Sequence, residues 1–251
     1  MSVIIDIFMK ERLDKILVDR GLVKSRERAK ALIMEGVVLV DGAPVTKAGA
    51  MISSDSAVSL KKEDTLYVSR GGLKLKAAMD YFNITLKDKT AMDVGSSTGG
   101  FTDCMLRMGA KKVYCIDVGY GQLAWTLRND PRVVLLERTN IRYLGREKIP
   151  DVIDIATADV SFISLTKVIP RVAEFLKDGG EILALVKPQF EVGKGEVGKG
   201  GIVREEEKRL RAVESVKISL EGIGLQAAGM FQSPVPGQKG NIEYFLYMKK
   251  G

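Results

Sequence analysis

Beyond residue 90, seven short apolar, β-prone runs occur at 91–94, 112–118, 132–136, 153–159, 181–186, 225–231 and 242–248, with helical patterns between most of them. Strands that alternate with helices share a sheet most readily when the sheet is parallel and the helices cover its faces, so this spacing predicts a doubly wound α/β domain. The last two runs are separated only by SPVPGQKGN and its flanks. That is too short for a helical crossover, and the seventh strand is expected to return antiparallel beside the sixth. At 251 residues, 45% apolar and 28% charged, the chain has room for such a domain plus a small appendage, and it is neither disordered nor fibrous in composition. No apolar run approaches the roughly 18 to 20 residues of a membrane span. The opening MSVIIDIFMKERLD turns charged too early for a signal peptide, so a cytoplasmic location is expected.

Residues 1–67 read differently. Leu13, Ile16, Leu17, Leu22 and Val23 form an apolar stripe at helical spacing that Gly21 breaks, and a second helix runs from about Ser25 to Met34 with Ser25 as its N-cap. The following EGVVLVDGAPV predicts a hairpin about Asp41-Gly42, with a return strand near Val45. Lys24, Arg26, Arg28 and Lys30 alternate at the entrance of the second helix, where cationic side chains and helix N–H groups would both meet phosphate. The bland reading is a solvated helix face, since residues 1–67 hold 11 basic and 10 acidic residues.

The whole chain carries a formal charge of +7, which favours an anionic partner. It contains no histidine, so proton chemistry falls to Lys, Asp, Glu or Tyr. Its two cysteines, Cys104 and Cys115, form no metal-binding cluster and read as core thiols, and no metal site is expected.

The first strand of the α/β region, TAMDV, opens into GSSTGGFTDCML, placing Asp93, Gly95, Ser96, Ser97, Gly99 and Gly100 at a strand-to-helix turn. Glycines there let a ligand approach the backbone. The spacing is neither G-x-G-x-x-G nor a P-loop. A carboxylate at Asp93 would repel pyrophosphate but suit the ammonium or sulfonium of S-adenosylmethionine. Asp117 ends the second strand, 24 residues on, where an acid accepts hydrogen bonds from ribose hydroxyls. Asp159 ends the fourth strand and Lys187 the fifth; Glu243 enters the seventh, and Lys74 lies on the helix before the first. An isolated Asp at a strand end is more often a turn residue. Four ionisable groups converging on one sheet edge need another account.

The run RLDKILVDRGLVKSRERAKALIMEGVVLVDGAPV resembles the small S-four-like RNA-binding domain, over roughly residues 10 to 65. Residues 69–248 look like the FtsJ-type ribose 2'-O-methyltransferases, whose Lys-Asp-Lys-Glu tetrad maps onto Lys74 in SRGGLKL, Asp159 in ADVSF, Lys187 in LVKPQFE and Glu243 in GNIEYF. The chain as a whole resembles the TlyA family, long named haemolysins. The resemblance implies domains at 1–65 and 66–251, a seven-stranded Rossmann-like methyltransferase sheet with an antiparallel last strand, and a small amino-terminal α+β domain. It further implies S-adenosylmethionine as cofactor and 2'-O-methylation of cytidine in ribosomal RNA or ribosomal subunits.

The chemistry agrees. A ribose hydroxyl is a weak acid, so methyl transfer requires its proton removed or its alkoxide stabilised. Lys187, set between Asp159 and Glu243 with another lysine nearby, is expected to have a lowered pKa and to act as base. Arg70 beside Gly71-Gly72 is a candidate phosphate contact. The glycine-rich 193–201, with Lys194 and Lys199, reads as a flexible flap. Competing classes are a non-catalytic RNA-binding or ribosome assembly factor and a haemolysin-type toxin. The four-residue charge set and the lack of any membrane-length stretch weigh against them. Nucleotide, subunit and oligomeric state stay open.

Overall fold

The computed structural model describes residues 10–23, 25–60, 66–193 and 195–251, and these fall into two compact units that divide after residue 64. Lys24, residues 61–65 and Lys194 lie outside the described residues.

In the amino-terminal unit, β1 (Lys10–Arg12) leads into α1 (Leu13–Asp19), and Gly21, at φ 69°, turns the chain toward α2 (Arg26–Glu35). Ser25 is the N-cap of α2, its Oγ accepting from the Arg28 N–H at 3.2 Å, and Gly36 in the left-handed region ends the helix. Leu13 and Leu17 bury against Ala29, Leu32, Ile33 and Val38. Each such side chain contributes roughly 1.5 to 3 kcal/mol.

The hairpin of β2 (Val38–Val40) and β3 (Ala43–Pro44) turns on Asp41 and Gly42, both at positive φ as a two-residue turn of this hand requires. The return strand therefore begins two residues before Val45. The unit also holds β4 (Met51–Ser53), antiparallel to β1, and β5 (Val58–Leu60), antiparallel to β2. The sequence pattern did not announce β1, β4 or β5.

The second unit begins with α3 (Arg70–Tyr81), β6 (Thr90–Val94), α4 (Gly100–Arg107), β7 (Lys112–Ile116), the single turn α5 (Trp125–Arg128) and β8 (Val133–Leu136). It continues through β9 (Ile153–Ala158), α6 (Ile169–Ala173), β10 (Leu176–Val186), α7 (Pro188–Glu191), α8 (Glu206–Glu221), β11 (Leu225–Gln232) and β12 (Tyr244–Lys250). The strands form one sheet in the order β11-β12-β10-β9-β6-β7-β8. β6 to β10 pair in parallel, and β12 is antiparallel to both β10 and β11. Thus the seventh strand does more than fold back on the sixth: it is wedged between the sixth and the fifth.

Because side chains alternate across a strand, each buried strand feeds two cores. Met92, Val94, Ile116, Ala156 and Ala184 pack with Ile169, Val172, Val213 and Val216 on the α6 and α8 face. Ala91, Val113, Cys115, Ile155 and Leu183 pack with Leu75, Met79, Phe101 and Met105 on the α3 and α4 face. Cys104 and Cys115 are free thiols within this core. No helix among the described residues is long and apolar enough to cross a membrane.

Candidate active site

The sheet topology gathers the predicted residues. The chain steps from β6 through β7 to β8 on one side, then returns to lay β9 and β10 on the other. In such sheets ligands bind outside the carboxyl ends of the strands at this reversal. Asp159 directly follows β9 and Lys187 directly follows β10. β12 runs the other way, with Val186 opposite Tyr244, so Glu243 arrives at that same edge from the start of its strand.

The four residues form two ion pairs. Lys187 Nζ lies 2.6 Å from Asp159 Oδ1 and donates to Ser161 Oγ at 3.0 Å. Lys74 Nζ donates to Glu243 Oε2 at 2.7 Å. Lys187 is therefore not set between Asp159 and Glu243, as the sequence reading had it. The Glu243 side chain is only 2% exposed, and a carboxylate so buried needs a cation, which α3 supplies through Lys74 at 11% exposed. Gly237 lies so close to the Glu243 carboxylate that any Cβ there would collide with it.

The loop after β6 is shaped by Gly95, at φ 85°, where a Cβ would run into the Asp159 carbonyl group. This glycine lets the first and fourth strand ends meet. The Gly95 N–H donates to Ile116 O at 2.8 Å. Ser97 takes a positive φ of 46°, Gly99 is the N-cap of α4 and Gly100 its first residue. The Asp117 carboxylate accepts from the Ser97 N–H and the Gly119 N–H, each at 2.7 Å, and so joins the first loop to the second strand end. Ser96 Oγ is buried with no hydrogen-bond partner among the described residues.

Asp93 departs from its expected place. Its side chain is fully buried beneath the loop, with Oδ2 accepting from Thr102 Oγ1 at 2.6 Å and Oδ1 from Thr157 Oγ1 at 3.1 Å. It braces α4 and β9 against β6 instead of facing a ligand. Burial pushes its carboxyl up from the ordinary 3.8 to about 7, against those two hydrogen bonds. Since the folded state then holds the proton more tightly than the unfolded chain, this group's stabilisation is complete below about pH 4 and fades as pH rises to about 7. Asp93→Asn, which cannot titrate, is expected to flatten that slope, by at most about 4 kcal/mol across the window. Denaturant midpoints of parent and variant at a series of pH values check it; parallel curves would mean that Asp93 is ionised throughout.

Sequence reading missed several groups here. Glu137 follows β8 and accepts from the Gly121 N–H at 2.7 Å and from Arg128 at 2.5 Å. Ser161 shares Lys187 with Asp159. Glu191 binds the loop after β9 through Ser164 and Leu165, and burial raises its carboxyl pKa. The described part of the glycine-rich stretch is a pinned turn, where a free flap was expected. Gly198 bridges to Ile202, Lys239 donates to Gly200 O at 2.8 Å, and Asn241 donates to Gly201 O at 2.9 Å.

In the amino-terminal unit, Arg26 is not purely a surface cation. It donates to Asp14 at 3.0 Å alongside Arg12, and these guanidinium groups hold the buried Asp14 carboxyl down at about 2. Arg28 and Lys30 sit half-buried on α2, and Arg28 Nη1 is buried without a hydrogen-bond partner among the described residues. Arg70, half-buried, opens α3 in the other unit.

A Rossmann-like sheet whose antiparallel strand is inserted between its fifth and sixth partners, with a glycine loop and acids along one edge, defines the methyltransferase class of fold. Residues 67–250 match the FtsJ-like methyltransferase family and residues 11–58 the S4 domain. With close relatives along nearly its full length, the chain belongs to the TlyA family of FtsJ-like methyltransferases. It is 46% identical over 241 residues to the 16S/23S rRNA (cytidine-2'-O)-methyltransferase TlyA of Mycobacterium tuberculosis, covering 96% of this chain and 90% of that one. It is 40% identical to Hemolysin A of Brachyspira hyodysenteriae, covering 94% and 98%. A solved Streptococcus thermophilus structure that carries the haemolysin name is 43% identical, with a TM-score of 0.74 over 96% of this chain and 88% of that chain.

Proposed function

We propose that this protein transfers a methyl group from S-adenosylmethionine to the 2'-hydroxyl of a cytidine in ribosomal RNA. The observation that carries the reading is the Lys187–Asp159 pair, 2.6 Å apart at the edge where the Gly95 loop meets β9. A lysine held by a carboxylate beside a donor loop suits proton removal from a weakly acidic hydroxyl.

The loop fits the donor. Ser96 supplies a buried hydroxyl that lacks a protein partner. Gly95, Ser97, Gly99 and Gly100 offer backbone at close approach, and Asp117, half-exposed, keeps lone pairs for ribose hydroxyls beyond its two backbone bonds. Asp93 keeps this loop in shape through Thr102 and Thr157. When bound, S-adenosylmethionine supplies an electrophilic methyl group. Lys187 takes the proton of the ribose hydroxyl, and Asp159 with Ser161 aims its Nζ. Lys74, oriented by Glu243, holds the target nucleotide by its hydroxyl or phosphate. Arg26, Arg28, Lys30 and Arg70 are the described cations assigned to RNA phosphate, and Lys24 joins them from sequence alone.

The Mycobacterium tuberculosis relative supports ribosomal RNA as substrate, and a cytoplasmic site of action goes with that substrate as part of this reading. Mass-spectrometric mapping of 2'-O-methyl nucleotides in ribosomal RNA from cells with and without this protein tests the reading. A cytidine whose modification disappears with the protein is expected, and identical maps would remove the proposal.

A further inference from the structure

α7 is a single turn between Lys187 and Glu191, and both of its ends hold the loop that leaves β9. At its start, Lys187 contacts Asp159 and Ser161. At its end, Glu191 Oε2 accepts from Ser164 Oγ at 2.6 Å and Oε1 accepts from the Leu165 N–H at 2.9 Å. Between them the Phe190 and Phe162 rings lie 5.0 Å apart. The two loops thus meet at three successive places, in the same order along each. Phe162 takes φ 64° within this contact, a backbone conformation that a bulky residue rarely adopts.

We propose that Glu191 is a positioning residue for methyl transfer: by fixing Ser164 and Leu165 to α7 it holds Asp159 on Lys187. This rests on the catalytic reading of Lys187. The fork of a carboxylate fits the task because it gives one oxygen to a hydroxyl and the other to a main-chain N–H. Alanine leaves the Leu165 N–H without that acceptor and frees the loop. Glutamine keeps an oxygen for Leu165, and its amide can donate to Ser164 Oγ, whose own proton is free to turn to Thr166 Oγ1 at 2.8 Å.

The test follows methyl transfer from radiolabelled S-adenosylmethionine to ribosomal subunits from cells lacking the protein. Misalignment of reacting groups costs about 10- to 100-fold in rate, so Glu191→Ala should lower kcat by that factor while KM for subunits and the Kd for S-adenosylmethionine stay within about twofold. Glu191→Gln should restore kcat to within about threefold of the parent. An unchanged kcat for Glu191→Ala, a loss confined to donor affinity, or no rescue by glutamine would each overturn the proposal. Should Glu191→Ala not fold, Ser164→Ala decides: a loss of about 3- to 10-fold in kcat supports the clasp, and parental kcat refutes it. Lys187→Ala is measured alongside. If it is inactive while Glu191→Ala matches the parent, only the clasp falls; if it too matches the parent, the catalytic reading falls.

Discussion

Lys187→Ala is expected to slow single-turnover methyl transfer by about 10² to 10⁴, the usual worth of general base assistance, with the Kd for S-adenosylmethionine unchanged. The chain holds no histidine to take over the role. Lys187 is paired with Asp159 and Ser161, outside the Gly95 loop, so its loss should spare donor binding. The companion variant, Lys187→Arg, separates two roles. A guanidinium keeps the positive charge but does not give up its proton near neutral pH, so a base cannot be replaced by it. Arginine that turns over like the parent would show that the site needs only a cation and that the proton leaves by another route.

The second large effect falls on the donor loop. Gly95→Ala places a methyl group against the carbonyl of Asp159, 2.9 Å from its carbon, and forces alanine to φ 85°. The loop after β6 and the end of β9 must then move apart. Donor affinity is expected to fall by about 100-fold, equivalent to roughly 2.7 kcal/mol, measured by titration calorimetry. Gly121→Ala is the control, because Gly121 also has a positive φ of 69° but a Cβ there meets nothing within 4 Å. Backbone strain alone would affect both variants alike. Equal affinities would mean that the contact with Asp159 does not shape the pocket.

The strands of the second unit were legible because a sheet covered on both faces selects uninterrupted apolar runs, and each run matched a strand to within a few residues. β10 is the largest departure, starting at Leu176 instead of 181; the register shift between Leu176 and Glu181 carries the polar KDGG stretch, which hid its beginning. β1, β4 and β5 have three residues each, too few for alternation to show. The pairing within the tetrad was not legible, since the partners are 169 residues apart for Lys74 and Glu243 and only the inserted β12 brings them together. Asp93 misled for a related reason. An acid at a strand end reads as exposed, whereas here Thr102 and Thr157 close over it from α4 and β9. Glu191 gave no signal, being one acid after an aromatic residue with its partners 26 and 27 positions earlier.

The insertion of β12 also couples the catalytic edge to the edge strand of the sheet. Among the described strands β11 pairs only with β12, so it is joined to the rest of the sheet through β12. Glu243 stands at the head of β12, so any opening that lifts β12 from β10 also takes the carboxylate away from Lys74. The amides of β11 and β12 should accordingly open and exchange with solvent as one cooperative block, separately from β6 to β9.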